Sequence, residues 1–189
     1  MRRAPPGRVR PPDPEVSVAI YDSGFRYEAH SWDAWSAAAR RDKKRNALVA
    51  DLALEQVRNG VPTLLLAETC EQVRLLQRAT GGVVIPEVAS EDVRDESHVA
   101  LHTAPLLLET YTADSGWWDV AHWGAAVLGS PLGCEYTTGK VIQWLRRAAA
   151  HKKTAVLIDF DDSHPRAYHR LCLRMKVYTS RKTPVSRIA

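Results

Sequence analysis

GKVIQWLRRAAAHKKTAVLIDFDD, residues Gly139 to Asp162, reads as a cationic helix, Lys140 to Ala150, running into an apolar strand, Thr154 to Phe160. Asp161 and Asp162 close the strand. A charged helix feeding a buried strand with acids at its carboxyl end is the unit of an α/β domain. Chemistry in such domains gathers where the strands end.

The segments before it keep that rhythm. Val16 to Tyr21 (VSVAIY) is a short β run, stopped by the Asp22-Ser23-Gly24 turn. Phe25 to His30 is either a strand that pairs back or a loop. Ser31 or Asp33 caps a helical segment in which Trp32 and Trp35 share a face. Lys43 to Asn59 places Leu48, Val49, Leu52, Ala53 and Val57 near helical spacing, and Asn59-Gly60 stops it. An apolar strand, Thr63 to Ala67, follows. Thr69 then caps a helix from Glu71 to Ala79, and Gly81-Gly82 turns into Val83 to Ile85. Residues 90–101 are polar and predicted helical. Leu106 to Thr110 and Ala125 to Leu128 are further strands, and a last helix covers about Pro165 to Tyr178. The expected fold is a single α/β domain, a mostly parallel sheet of five or six strands with helices between them.

Bulk composition is consistent with this. The chain has 189 residues, 45% of them hydrophobic and 25% charged, ordinary values for one globular domain. No apolar run approaches the roughly 18 residues of a membrane helix. The Pro/Arg-rich start, MRRAPPGRVRPPDPE, lacks the apolar core of a signal peptide and is expected to be a disordered arm over residues 1–15. Cys70, Cys134 and Cys172 show no CxxC spacing, which favours a reducing, cytoplasmic setting over zinc or a disulfide framework. Net charge is +4, and Pro165 to Ala189 holds seven Lys or Arg and no acid. With Arg40-Arg41-Asp42-Lys43-Lys44-Arg45, this gives two basic patches of the kind that suit nucleic acid. Residues 179–189 read as a basic tail.

Four segments carry a resemblance in order. VIQWLRR resembles the sixth motif of superfamily 2 helicases, QxxGRxxR: Gln143 and Arg147 match, Arg146 stands at the Gly and Ala150 at the final Arg. KRNALVADLALEQVRNGVPTLLLAETCEQVRLLQ resembles the start of their second RecA-like domain. ETYTADSGWWDV resembles the fifth motif, with Thr110, Tyr111, Ser115 and Asp119 in register and Gly116 and Trp117 in the Glu-Gly places. KKTAVLIDFDD, with Arg174 and Tyr178, resembles the close of that domain. The branch most similar is that of the phage recombination helicases and XPB-like DNA translocases, proteins of recombination, repair and replication. The resemblance implies a RecA-like fold with helices on both sheet faces over residues 16–178.

It also implies roles. Arg147 would be the arginine that reaches the γ-phosphate across a domain interface, a role worth about 10³ to 10⁵ in rate. Asp119 and Gln143 would complete the ATP-binding set. Thr69, Thr110, Ser115 and Trp117 would contact single-stranded or forked DNA, and the basic run of the last helix adds Arg170 and Arg174 to that expected set. The phosphate loop GxxxxGK[ST] and the magnesium acids belong to the other half of such helicases, and neither pattern occurs here. GCEYTTGK ends in Gly-Lys, but its glycines are six apart and no Ser or Thr follows. ATP and Mg²⁺ are therefore expected only with a partner chain carrying the ATP-binding domain, and a missing second arginine at Ala150 points to impaired catalysis. Two other readings stay open. One is a non-catalytic helicase-like module that binds DNA or protein. The other is a nuclease-like enzyme with Asp119, Asp159, Asp161 and Asp162 as metal ligands.

Overall fold

The computed structural model describes residues 15–84, 103–111, 123–130, 135–152 and 154–188. The elements are β1 (Glu15–Asp22), α1 (Trp32–Arg41), α2 (Lys43–Arg58), β2 (Thr63–Ala67), α3 (Cys70–Thr80) and β3 (Val83–Val84). They continue with β4 (Leu106–Thr110), β5 (Ala125–Leu128), α4 (Glu135–Lys152), β6 (Thr154–Asp161), α5 (Pro165–Ser180) and β7 (Val185–Ile188). The strands form one seven-stranded sheet in the order β3-β4-β2-β5-β6-β1-β7. Every pairing is parallel.

Strand side chains alternate between two apolar layers, as the two-residue period of a strand requires. Leu64, Leu66, Leu107, Leu128 and Leu157 face one layer, which α4 and α5 cover with Val141, Ile142, Leu145, Leu171 and Tyr178. Leu65, Ala67, Leu106, Leu108 and Ile158 face the other, covered by α2 and α3 through Val49, Leu52, Val73 and Leu76. Helices thus lie on both faces, as expected. A smaller cluster of Phe25, Trp35, Ala39 and Ala167 seats α1 against the start of α5.

The helix boundaries have local causes. Ser31, Asp42 and Thr69 each accept a backbone N–H three residues on, at 3.2, 2.7 and 3.3 Å, and so cap α1, α2 and α3. Gly81 ends α3 in the left-handed region at φ 68°, where a side chain is strained.

Three expectations are corrected. The sheet has seven strands, because residues 185–188 of the supposed tail pair with β1 in the register Val18↔Val185. That strand is short, polar and mostly exposed, so no apolar pattern announces it. The helix before β6 begins at Glu135 rather than Lys140; Gly139 lies inside it without breaking it. The last helix extends to Ser180. Of the two alternatives for Phe25 to His30 the loop is the one observed, with Phe25 packed on Trp35. The helix expected over 90–101 lies outside the described residues.

Candidate functional site

All strands run the same way, so the carboxyl ends of β1, β2, β4, β5 and β6 share one rim. A buried polar network is built into it. Arg45, from the first turn of α2, is 1% exposed and bonds both oxygens of Asp162 at 2.8 and 2.9 Å. Its third contact is the Gly129 carbonyl at 2.5 Å, and its guanidinium lies 5.5 Å over the Phe160 ring. Gln72 of α3 donates to the same carbonyl at 3.1 Å and to Asn46 at 3.3 Å, and accepts from the Ser130 hydroxyl. That hydroxyl also receives the Glu68 N–H at 3.1 Å, while the Tyr111 hydroxyl donates to the Ser130 carbonyl at 2.5 Å. The chain ends of four strands are thereby tied together, each buried group with a partner.

Burial pushes the Asp162 carboxyl up, but the Arg45 charge and hydrogen bonds outweigh it and hold the group below the usual carboxylate range. Burial pushes the Tyr111 phenol far up, so it remains a neutral donor.

A second buried pair stands beneath the first. Asp159 accepts from Arg174 Nε at 2.8 Å and from the Tyr178 hydroxyl at 2.7 Å. Arg174 is 1% exposed. Its expected contact with DNA is therefore corrected: the side chain serves the core, where an unpaired Asp159 would be costly. The same pairings overturn the metal-ligand reading of Asp159 and Asp162, whose oxygens are committed to arginine. Asp161 reaches Arg187 of β7 at 3.1 Å. Among the described residues no group of three His, Cys, Asp or Glu could hold a metal ion.

The remaining sequence-derived candidates divide. Thr69 sits on the rim as the cap of α3, with its hydroxyl holding Gln72 N–H. Thr110 ends β4 on the same rim but is 4% exposed, so its hydroxyl is not displayed. Arg170 projects, half-buried, from the first half of α5. Ser115, Trp117 and Asp119 lie outside the described residues. Gln143 and Arg147 are both exposed on α4, on the row that also shows Ala150. That helix starts at the rim and runs back toward β6's first residue, so Arg147, twelve residues from Glu135, lies about 18 Å along it from the rim. The structure thus separates the ATP-directed pair from Thr69, Thr110 and Arg170.

No family model and no curated protein matches this chain. Solved structures do. T4 UvsW superposes with a TM-score of 0.66 at 12% identity, over 92% of this chain and 40% of that one. The C-terminal domain of the DEAD-box protein Dbp5 gives 0.59 at 11% identity, over 93% of this chain and 91% of that domain. The DUF1998 helicase MrfA, bound to DNA and AMPPNP, gives 0.52 at 19%, over 75% of this chain and 21% of that one. The fold is the RecA-like, parallel α/β one of these structures. This chain spans about 40% of the length of the UvsW chain it matches.

In this fold, the residues missed in the sequence are those that fix the rim: Arg45, Gln72, Ser130 and the Tyr111 hydroxyl. Helical spacing carries a signal for the first, since Arg45 lies four residues before Val49 on the inward face of α2. Lys140 of the Gly-Lys pair lies within α4. No helix among the described residues is long and apolar enough to cross a membrane.

Proposed function

We propose that this chain is the C-terminal half of a superfamily 2 DNA helicase or translocase, which binds nucleic acid and completes an ATPase site only with a partner chain carrying the ATP-binding domain. The observation that carries the reading is the display of Gln143 and Arg147 on the solvent face of α4, in a fold whose likenesses are helicase C-terminal domains. An arginine so presented suits a γ-phosphate held by another domain. ATP and Mg²⁺ belong to that partner, because the acids of β6 are taken by arginine and the sequence has no GxxxxGK[ST] pattern. Asp119 joins this ATP-directed set by resemblance alone. Thr69 and Arg170 are the nucleic-acid contacts of the set that the rim leaves reachable; Ser115 and Trp117 complete it by resemblance. One neighbour is described bound to RNA and ADP BeF3, another to DNA and AMPPNP, so both polymers belong in the test.

A second reading is favoured by Ala150. It is exposed where the motif has its final arginine, and no lysine replaces the planar fork of a guanidinium. On that reading the chain is a non-catalytic helicase-like module that binds DNA or a protein.

The test is fluorescence anisotropy of single-stranded and forked DNA, and of RNA, across a salt series, with ATP turnover measured in the same samples. Salt-sensitive binding without turnover is expected. Turnover by the chain alone refutes partner dependence, and absence of binding at low salt refutes the nucleic-acid reading. A partner chain recovered with this one then separates the two readings: ATPase that vanishes in Arg147→Ala supports the helicase half.

A further inference from the structure

We propose that Trp32, Arg166 and Arg170 form a phosphate-gripping site that carries a nucleic-acid strand along the rim past Thr69; the proposal rests on the nucleic-acid reading above. The three residues come from the beginnings of α1 and α5, which start at the carboxyl ends of β1 and β6. Trp32 stacks on Trp35 with centroids 5.1 Å apart and planes at 22°, and the His164 ring packs 4.9 Å from Trp35. This aromatic base is anchored, since Trp35 is fully buried. Over the Trp32 ring lie two guanidiniums, Arg166 at 5.3 Å and Arg170 at 4.4 Å from its centroid.

Arg166 and Arg170 are four apart on one helix, so two like charges are held side by side, an arrangement that destabilises a helix on its own. Among the described residues Arg166 has no carboxylate partner. Burial, then the charges of Arg166 and Arg174, pull the Arg170 pKa down against the pull of Glu68. An anion placed between the two guanidiniums relieves that repulsion. Contact with the indole also pre-places the two guanidiniums, which suits the bidentate recognition of a phosphate. The Trp32 ring is already occupied by Trp35 and the guanidiniums, so the site reads backbone and offers no free face to a base.

The site continues the rim. Arg40 of α1 bonds Glu68 at 2.9 Å, and Glu68 adjoins Thr69 in the chain. The charge of Glu68 is in turn felt at Arg170, so Thr69, Arg40 and the arginine pair belong to one stretch of the rim.

The test compares the wild-type chain with Arg166→Gln/Arg170→Gln by anisotropy of a labelled oligothymidylate over a salt series, with thermal unfolding of both. Each phosphate contact on a single strand contributes about 0.7 to the slope of log K against log salt. The double variant should keep the wild-type melting curve, lose about 1.4 from that slope, and bind roughly tenfold weaker at low salt. An unchanged slope with wild-type binding overturns this site and leaves the nucleic-acid reading standing. Weaker binding with an unchanged slope also overturns it, because the lost contact was then not to phosphate. Absence of wild-type binding removes both. Trp32→Phe, which keeps a ring beneath the guanidiniums, should retain most of the slope.

Discussion

Asp162→Asn removes one charge from the rim while keeping its shape. Arg45 is then left 1% exposed with an amide in place of a carboxylate. It keeps the Gly129 carbonyl at 2.5 Å and the Phe160 face at 5.5 Å, but neither is a counter-charge. Breaking a buried pair in this way costs about 3–5 kcal/mol, which in a domain of this size lowers Tm by about 6–20 °C. Urea unfolding at neutral pH measures it, with the m-value confirming that the same surface is exposed in both chains. Arg45→Met/Asp162→Leu should recover most of the loss, to within about 1–2 kcal/mol of wild type. The Gly129 carbonyl stays satisfied in that variant through Gln72 at 3.1 Å. A cost below about 1 kcal/mol for Asp162→Asn would show that water reaches Arg45, and would refute the dry, preorganised rim.

Acid should act through the same carboxyl. Its pKa is lowered in the fold, so its contribution is present above the unfolded value of about 3.9 and is lost as pH falls through the folded one. Thermal melts should hold steady above about pH 5 and decline below about pH 4, with a shallower decline in Asp162→Asn; equal declines would contradict the assignment. Gly82→Ala addresses the sheet's outer edge. An added Cβ there lies 2.9 Å from Leu106 Cγ and closer still to the buried Leu108 Cδ1. A loss of about 1–3 kcal/mol in urea is expected, and a neutral result would mean that β4 is not packed against that turn.

The elements with strong apolar periods were legible in the sequence: Thr63 to Ala67, Leu106 to Thr110, Ala125 to Leu128 and Thr154 to Phe160 all appear as strands. β7 was not, because Val185–Ile188 is held by backbone pairing to β1 and buries almost nothing. Arg174 was misassigned through composition, since a run of basic residues reads as a solvated surface. Spacing points the other way. Ala167, Leu171, Arg174 and Tyr178 are separated by four, three and four residues, the inward stripe of α5. Beyond the inward spacing of Arg45, the pairings of the rim network could not be read. Arg45 and Asp162 meet from positions 117 residues apart, and a pairing at that separation leaves no local pattern. Gln143 and Arg147 were placed by the sixth-motif resemblance, and the structure adds that they share the exposed row of α4 with Ala150.

The position of β1 has a consequence for how the molecule is made. β2 to β5, with α2 and α3, can assemble from near neighbours in the chain, but β1 pairs only with β6 and β7. The first strand must therefore wait for the last part of the chain, an entropically late and slow step. Until it comes, β5 presents Ala125–Leu128 as an unpaired apolar edge. Such an edge recruits other chains as readily as its own. Refolding yield should fall steeply with protein concentration, and a pulse of denaturant-diluted chain should lose material to aggregates before β6 and β1 close the sheet.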